Sequence, residues 1–279
     1  MSLRIVVDGD ADIPPQLENE VAYVPQYVIY DGVSYKATKE LILHKMESML
    51  DPGKLSTSMP SAQDFVDALK ELDYPALAIH VSSGISSTYQ SIKTAAETVG
   101  VLDKLYMFDT KTAASGIGVY VYLAYELLKQ GATAREVYDT LVKLRDNRRE
   151  KTYALVGDVR FALHGGRVRG IAAAAAKAMH FMVVVSPDEE GYIQAIYKTM
   201  GRRKAIRYVL ERARQSLKDA ESPIVGISHA WADKDASMIA ETLRKERPDA
   251  SIFVTYMNPT LVAHGGKGTL AVSVLDANV

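Results

Sequence analysis

The chain has 279 residues, 48% of them hydrophobic, which at ~100 to 200 residues per domain suggests two domains or one large one and permits a substantial buried core. Charged residues make up 24% and the formal net charge is −1, so no global positive field draws the chain onto nucleic acid or an anionic bilayer. It contains no cysteine, which excludes disulfides, thiolate metal sites and cysteine nucleophiles together and fits a reducing compartment.

The opening MSLRIVVD runs straight into an apolar strand pattern without the features of a secretory leader, and a cytoplasmic location is expected. No uncharged apolar run approaches the ~18 residues of a membrane span; the most apolar stretch, 171–185, is interrupted by Lys177 and His180, so a soluble protein without a transmembrane segment is expected. Short β-branched runs alternate with helical patterns through the first half, as in a parallel-sheet α/β domain. Strands are predicted at 3–8, 76–81 and 105–108, each followed by a turn and a helix. Residues 23–35 read as a hairpin, because Asp31-Gly32 suits the positive φ angles of a tight turn. Ser61 with Asp64, and Thr133 with Glu136, form capping-box patterns that start helices.

The charged segment DNRREK at 146–151 marks a boundary between an N-terminal α/β domain with a mainly parallel sheet, 1–150, and a C-terminal α+β domain with a largely antiparallel sheet, 151–279. An alanine run at 172–176 suits a closely packed helix or leaves room for a ligand tail. Strands at 181–185 and 192–197 flank the turn PDEEG and read as antiparallel neighbours. Ile206, Leu210, Ala213 and Leu217 recur at helical spacing and would cover that sheet, while 224–229, 251–255 and 269–274 supply further strands.

Ligands bind at strand ends in open α/β sheets, and two such loops are rich in hydroxyls. LSTSMPS sets Ser56, Thr57, Ser58 and Ser61 around Pro60; VSSGISSTYQS, which contains Ser83, runs into a helix and places Ser86 and Ser87 near its anion-attracting N-terminus. Any one of these serines is most simply a helix cap, and the functional signal is their clustering. In NPTLVAHGGKGTLAV, His264 precedes a glycine-rich turn and could give a carboxylate a charge-assisted hydrogen bond. In LHGGRVRG, Gly165-Gly166 presents Arg167, either to an oxyanion or simply to solvent. Familiar enzyme templates fail on spacing: GISST lacks the closing glycine of a nucleophile elbow, and GGKGT has the residues of a phosphate loop in the wrong order. The six histidines show no close pairing, so no metal is expected.

Seven segments in order, VVDGDADIPP, TSMPSAQDF, SSGISSTYQS, FDTKTAASGIG, HGGRVRG, TMGRRKA and AHGGKGTLAV, resemble landmarks of the DegV family of fatty-acid-binding proteins. The resemblance spans nearly the whole chain. It implies a long-chain fatty acid held between the two domains, with its carboxylate on Thr57, Ser86 and His264. Ser58, Ser83 and Ser87 are further candidates in the same loops. It also implies a separate ATP-binding fatty acid kinase subunit that forms an acyl phosphate, with Arg167 meeting the phosphate and Arg202 or Arg203 facing the kinase. The chain would then carry a substrate, with no catalytic residue and no cofactor of its own.

Ser87 stands where the family has glycine, His264-Gly265-Gly266-Lys267 replaces a His-x-Gly-Pro pattern, MVVVSP replaces a Lys-Pro-Ile-Leu segment, and Gly9 replaces a serine. These departures bear on acyl-length preference and kinase docking more than on the fold. Two alternatives are a hydrolase using Ser86, His264 and Asp109, and a lipid-binding module without a kinase.

Overall fold

The structure is a computed structural model that describes residues 3–171 and 181–278. The alanine run at 172–176, with Lys177 and His180, lies outside the described residues. The first half contains β1 (Ile5–Asp8), β2 (Ala22–Val24), β3 (Tyr27–Tyr30), β4 (Val33–Lys36), α1 (Lys39–His44), β5 (Leu55–Ser58), α2 (Ala62–Lys70), β6 (Ala76–His80), α3 (Thr88–Val99), β7 (Leu105–Asp109), α4 (Ser115–Lys129) and α5 (Ala134–Asp146). The second contains β8 (Glu150–Val156), α6 (Val159–Gly165), β9 (Val168–Arg169), β10 (Phe181–Pro187), β11 (Ile193–Met200), α7 (Arg202–Lys218), β12 (Pro223–His229), α8 (Asp233–Glu246), β13 (Ser251–Tyr256), α9 (Pro259–Gly265) and β14 (Leu270–Asp276).

Strands β2-β1-β6-β7 form a parallel sheet. Its central strands, IVVD and ALAIH, are buried at every position, as expected where helices cover both faces. The hairpin is shorter than 23–35. It joins β3 to β4, with Asp31 at φ 51° and Gly32 at φ 80° in the two-residue turn. Tyr23 pairs in parallel with Val7 instead, because Pro25 has no N–H with which to continue a ladder. The hydroxyl segment LSTS is itself a strand, β5, and pairs antiparallel with β3 so that Thr57 lies opposite Val28. Both capping boxes form: the Asp64 amide donates to Ser61 Oγ at 3.2 Å and the Glu136 amide to Thr133 Oγ1 at 3.2 Å, with each acid accepting the reciprocal bond.

A seven-stranded sheet of order β13-β12-β14-β8-β10-β11-β9 occupies the second half, antiparallel except for β12 with β13 and β11 with β9. Ile206, Leu210, Ala213 and Leu217 are buried on α7 against this sheet. Helix α4 lies between the two large sheets: Ile117 and Val121 share one hydrophobic core with Ile5 and Leu77 on one side and Ile224, Phe253 and Leu275 on the other. Gly118 permits this approach, since a side chain there would strike the Asp12 carbonyl. No described helix is long and apolar enough to cross a membrane.

Candidate functional site

The loops that leave β6 and β7, the strand β5, helix α9 and the inner face of the large sheet enclose a cavity of about 560 Å³. Its walls are largely apolar, with Ile85, Ala113, Ala154, Val156, Val185, Ile193 and Ala271 among them. Such a volume lies within the ~300–1,000 Å³ of small-molecule sites. Thr57, Ser58, Ser83, Ser86, Ser87, Arg167 and His264 all line it.

The sharpest polar feature is a contact of 3.0 Å between Thr57 Oγ1 and His264 Nε2. Thr57 is fixed by the β3 ladder. His264 occupies the last turn of α9, a helix begun by Asn258, whose side chain accepts the Thr260 amide at 3.1 Å, and by Pro259 at its first position. Gly165 makes room for the imidazole, because any side chain there would collide with His264 Nδ1. That nitrogen is buried without a hydrogen-bond partner among the described residues. Burial, followed by the positive charges of Arg167 and His164, pushes His264 down to about 4. The imidazole is therefore neutral at neutral pH, because low-dielectric surroundings disfavour the charged form. With the proton on Nε2, the ring donates to Thr57 Oγ1 and leaves the threonine hydroxyl proton free for a ligand oxygen.

The serine loop is anchored on both sides. Asp8 accepts the Val81 amide at 2.8 Å, Ser82 donates to the Gly191 carbonyl at 2.8 Å, and Ser83 donates to Asp109 at 2.6 Å. Ser86 lies 2.8 Å from Thr88 Oγ1 at the start of α3, and Ser87 sits at the cap position without a side-chain cap bond. Amides at this end of a twelve-residue helix favour an anion. Gly84 rests on the β10–β11 turn, where an added Cβ would come within 3.0 Å of the Gly191 backbone.

Among the polar lining residues that sequence reasoning missed are Asp10 and Gln26. Asp10 accepts from Gln26 Nε2 at 2.5 Å and Thr260 Oγ1 at 2.7 Å, and Asp12 accepts the Asn258 amide at 2.7 Å. Burial raises all three acids of this strand end: Asp8, with Asp10 beside it, and Asp12 each to about 7, and Asp10 against the opposing pull of Thr260, Gln26 and Arg167. The available signal was the alternation Asp8, Asp10, Asp12 directly after an apolar strand.

Arg202 and Arg203 stand apart from the cavity. Arg202 is held by Asp235 at 2.8 Å and by the Gly268 carbonyl at 2.7 Å, so it clamps the glycine-rich turn, while Arg203 is exposed. The hydrolase combination does not assemble: Ser86 engages Thr88, His264 engages Thr57, and Asp109 accepts from Ser83 and the Lys111 amide. Among the described residues no cluster of three or more histidines and acids is arranged to hold a metal.

Comparison with known proteins places the chain in a family. A Thermotoga maritima protein named fatty acid-binding protein is 28% identical over 285 residues, covering 98% of this chain and 98% of its own. A solved Thermotoga maritima structure described as revealing fatty acid binding function has TM-score 0.84 at 27% identity, covering 99% of each chain. The B3 protein of the Streptococcus pneumoniae fatty acid kinase, loaded with linoleic acid, has TM-score 0.85 at 15% identity, covering 99% of this chain and 100% of its own, a likeness of fold. The family model for DegV, described as an uncharacterised protein family, matches residues 2–277, and the chain belongs to the DegV family.

Proposed function

We propose that this protein is a long-chain fatty-acid carrier of the cytoplasm, which buries the acyl tail in the cavity and presents its carboxylate to a separate ATP-dependent kinase subunit. The observation that carries this reading is the Thr57–His264 pair at 3.0 Å on the wall of an otherwise largely apolar cavity. Each buried methylene contributes ~0.8 kcal/mol, so a long tail supplies on the order of ten kcal/mol before ordering costs. The carboxylate needs donors in place of water. Thr57, Ser86, the α3 amides and His264 supply them, with Ser58, Ser83 and Ser87 at hand in the same loops.

Arg167 fits the role of phosphate ligand. It is exposed, lines the cavity, and is steered by a bond of 2.7 Å from its Nη1 to the Gly165 carbonyl. A guanidinium at the mouth would stabilise charge developing on a transferred phosphoryl group. The fatty acid binding of the Thermotoga relative and the kinase role in the name of the pneumococcal fold neighbour support the two halves of the reading. Mixing the protein with oleate, ATP and the ATP-binding kinase subunit of the same organism tests it. Acyl phosphate should form, and Arg167→Ala should reduce its formation by a larger factor than it reduces oleate affinity. Oleate binding with no acyl phosphate would reduce the protein to a lipid-binding module.

A further inference from the structure

On the far side of the large sheet, β8 and β10 pair only from Ala154 opposite Val185 to Val156 opposite Val183 and then part. Pro187 has no N–H with which to continue the ladder, and residues 150–153 of β8 pair on their other side alone, with β14. The gap leaves a notch opening into a cleft of about 480 Å³. Thr152, Ser186 and Pro187 line both the notch and the acyl cavity, so a single layer of residues separates them.

The rim of this notch is positive on a chain whose net charge is −1. Lys111, Arg145, Arg148, Lys151 and Arg212 face it. Arg145 is engaged by Asp146 and the Asp109 carbonyl. Arg148 pairs with Glu189 of the β10–β11 turn, and Lys111 donates to the carbonyl of that same residue at 3.3 Å. The Lys151 side chain makes no hydrogen bond or ion pair among the described residues, and the Arg212 guanidinium, lying 5.4 Å over the Tyr153 ring, bonds there only to the neutral Gln215. The three acids of the cleft do not cancel this charge: Asp188 is occupied by the Glu190 and Tyr192 amides and Gln194, Glu189 by Arg148, and burial pushes Glu150 up to about 7.

We propose that this notch is a second ligand site, which takes a phosphate group between Lys151 and Arg212 and recruits Arg148 from Glu189. A tetrahedral, multiply charged oxyanion matches one ammonium and two guanidinium forks converging on a concave site. Glu189 acts as an internal competitor. Its pairing is exposed and therefore weak, so an incoming dianion displaces it readily. The site is independent of what fills the acyl cavity. The phosphate can belong to a soluble compound or to the headgroup of an anionic lipid at the notch.

Calorimetry with sodium pyrophosphate and cosedimentation with phosphatidylglycerol vesicles, against phosphatidylcholine as control, distinguish the two sources. Binding in either arm should weaken with added salt, fall at least about tenfold in the Lys151→Gln/Arg212→Gln variant, and tighten in Glu189→Gln. Pyrophosphate binding assigns a soluble ligand, and vesicle binding alone assigns a headgroup. Circular dichroism melting of each variant verifies its fold, and Lys70→Gln on α2 serves as the remote charge control. Absence of binding in both arms at low salt, or binding that the double substitution and Glu189→Gln leave unmoved, overturns the proposal.

Discussion

Thr57 and His264, separated by 207 positions in the chain, meet at 3.0 Å because β5 pairs with β3 while α9 returns from the large sheet to the same end of the cavity. Among the described residues neither has another side-chain hydrogen-bond partner that would use up the pair, so a ligand carboxylate would engage them as a unit. Thr57→Val and His264→Leu should each weaken oleate binding roughly tenfold or more, the loss of a hydrogen bond to a charged group. The double variant should lose less than the product of the two, because each substitution already breaks the shared contact. Fluorescence displacement titrations on the four proteins give the coupling directly, and strictly multiplicative losses would separate the two residues.

His264 should report the ligand's charge. Its folded value of about 4 lies below the ordinary 6.5, so the neutral ring predominates at pH 7. A carboxylate placed against it favours the imidazolium, and the midpoint should rise on oleate binding. NMR titration of the His264 ring with and without oleate measures the shift. An unchanged or lower midpoint would place the head group elsewhere.

Much of the scaffold was legible because local physics dictated it. The buried runs IVVD and ALAIH, the Asp31-Gly32 turn, the two capping boxes and the α7 stripe of Ile206, Leu210, Ala213 and Leu217 each announce their element within a dozen residues. The strand β5 did not, since LSTS is polar and alternates in exposure on a small peripheral sheet. Of the site, hydroxyl clustering pointed to the two loops, and the family resemblance pointed to Thr57, Ser86 and His264. Asp10 escaped because buried carboxylates run against composition rules and depend on partners as distant as Thr260. The ion pair of Arg202 with Asp235, 33 residues away, is visible only once α7 and α8 pack together.

The buried acids make stability depend on pH in an unusual direction. Asp12 rises from 3.8 to about 7 on folding, so the native state holds a proton that the unfolded chain has released. The associated stability is present in full below about 3.8 and is lost as pH rises through 7. Asp8 behaves alike. Asp12→Asn, which can keep the acceptor for the Asn258 amide, should gain on the order of 1 kcal/mol relative to the parent between pH 5 and pH 8. Urea denaturation at the two pH values tests it, and parallel pH slopes in parent and variant would contradict it.

The acyl wall should set chain length. Ala154 on β8 and Ala271 on β14 are directly paired and both line the cavity, so small side chains on adjacent strands keep it open. Ala154→Leu should weaken the binding of sixteen- and eighteen-carbon acids more than that of eight- and ten-carbon acids, because the added methyls occupy tail space. Dissociation constants across the series show the change in profile; an equal loss at every length would indicate general overpacking instead.

The most direct measurement is denaturing extraction of the purified protein followed by mass spectrometry of the released lipid. A long-chain fatty acid at close to one per chain is the expected result, and stripped protein should take up added oleate or palmitate to the same level. A chain that yields no lipid and binds neither acid would contradict fatty-acid binding in this cavity.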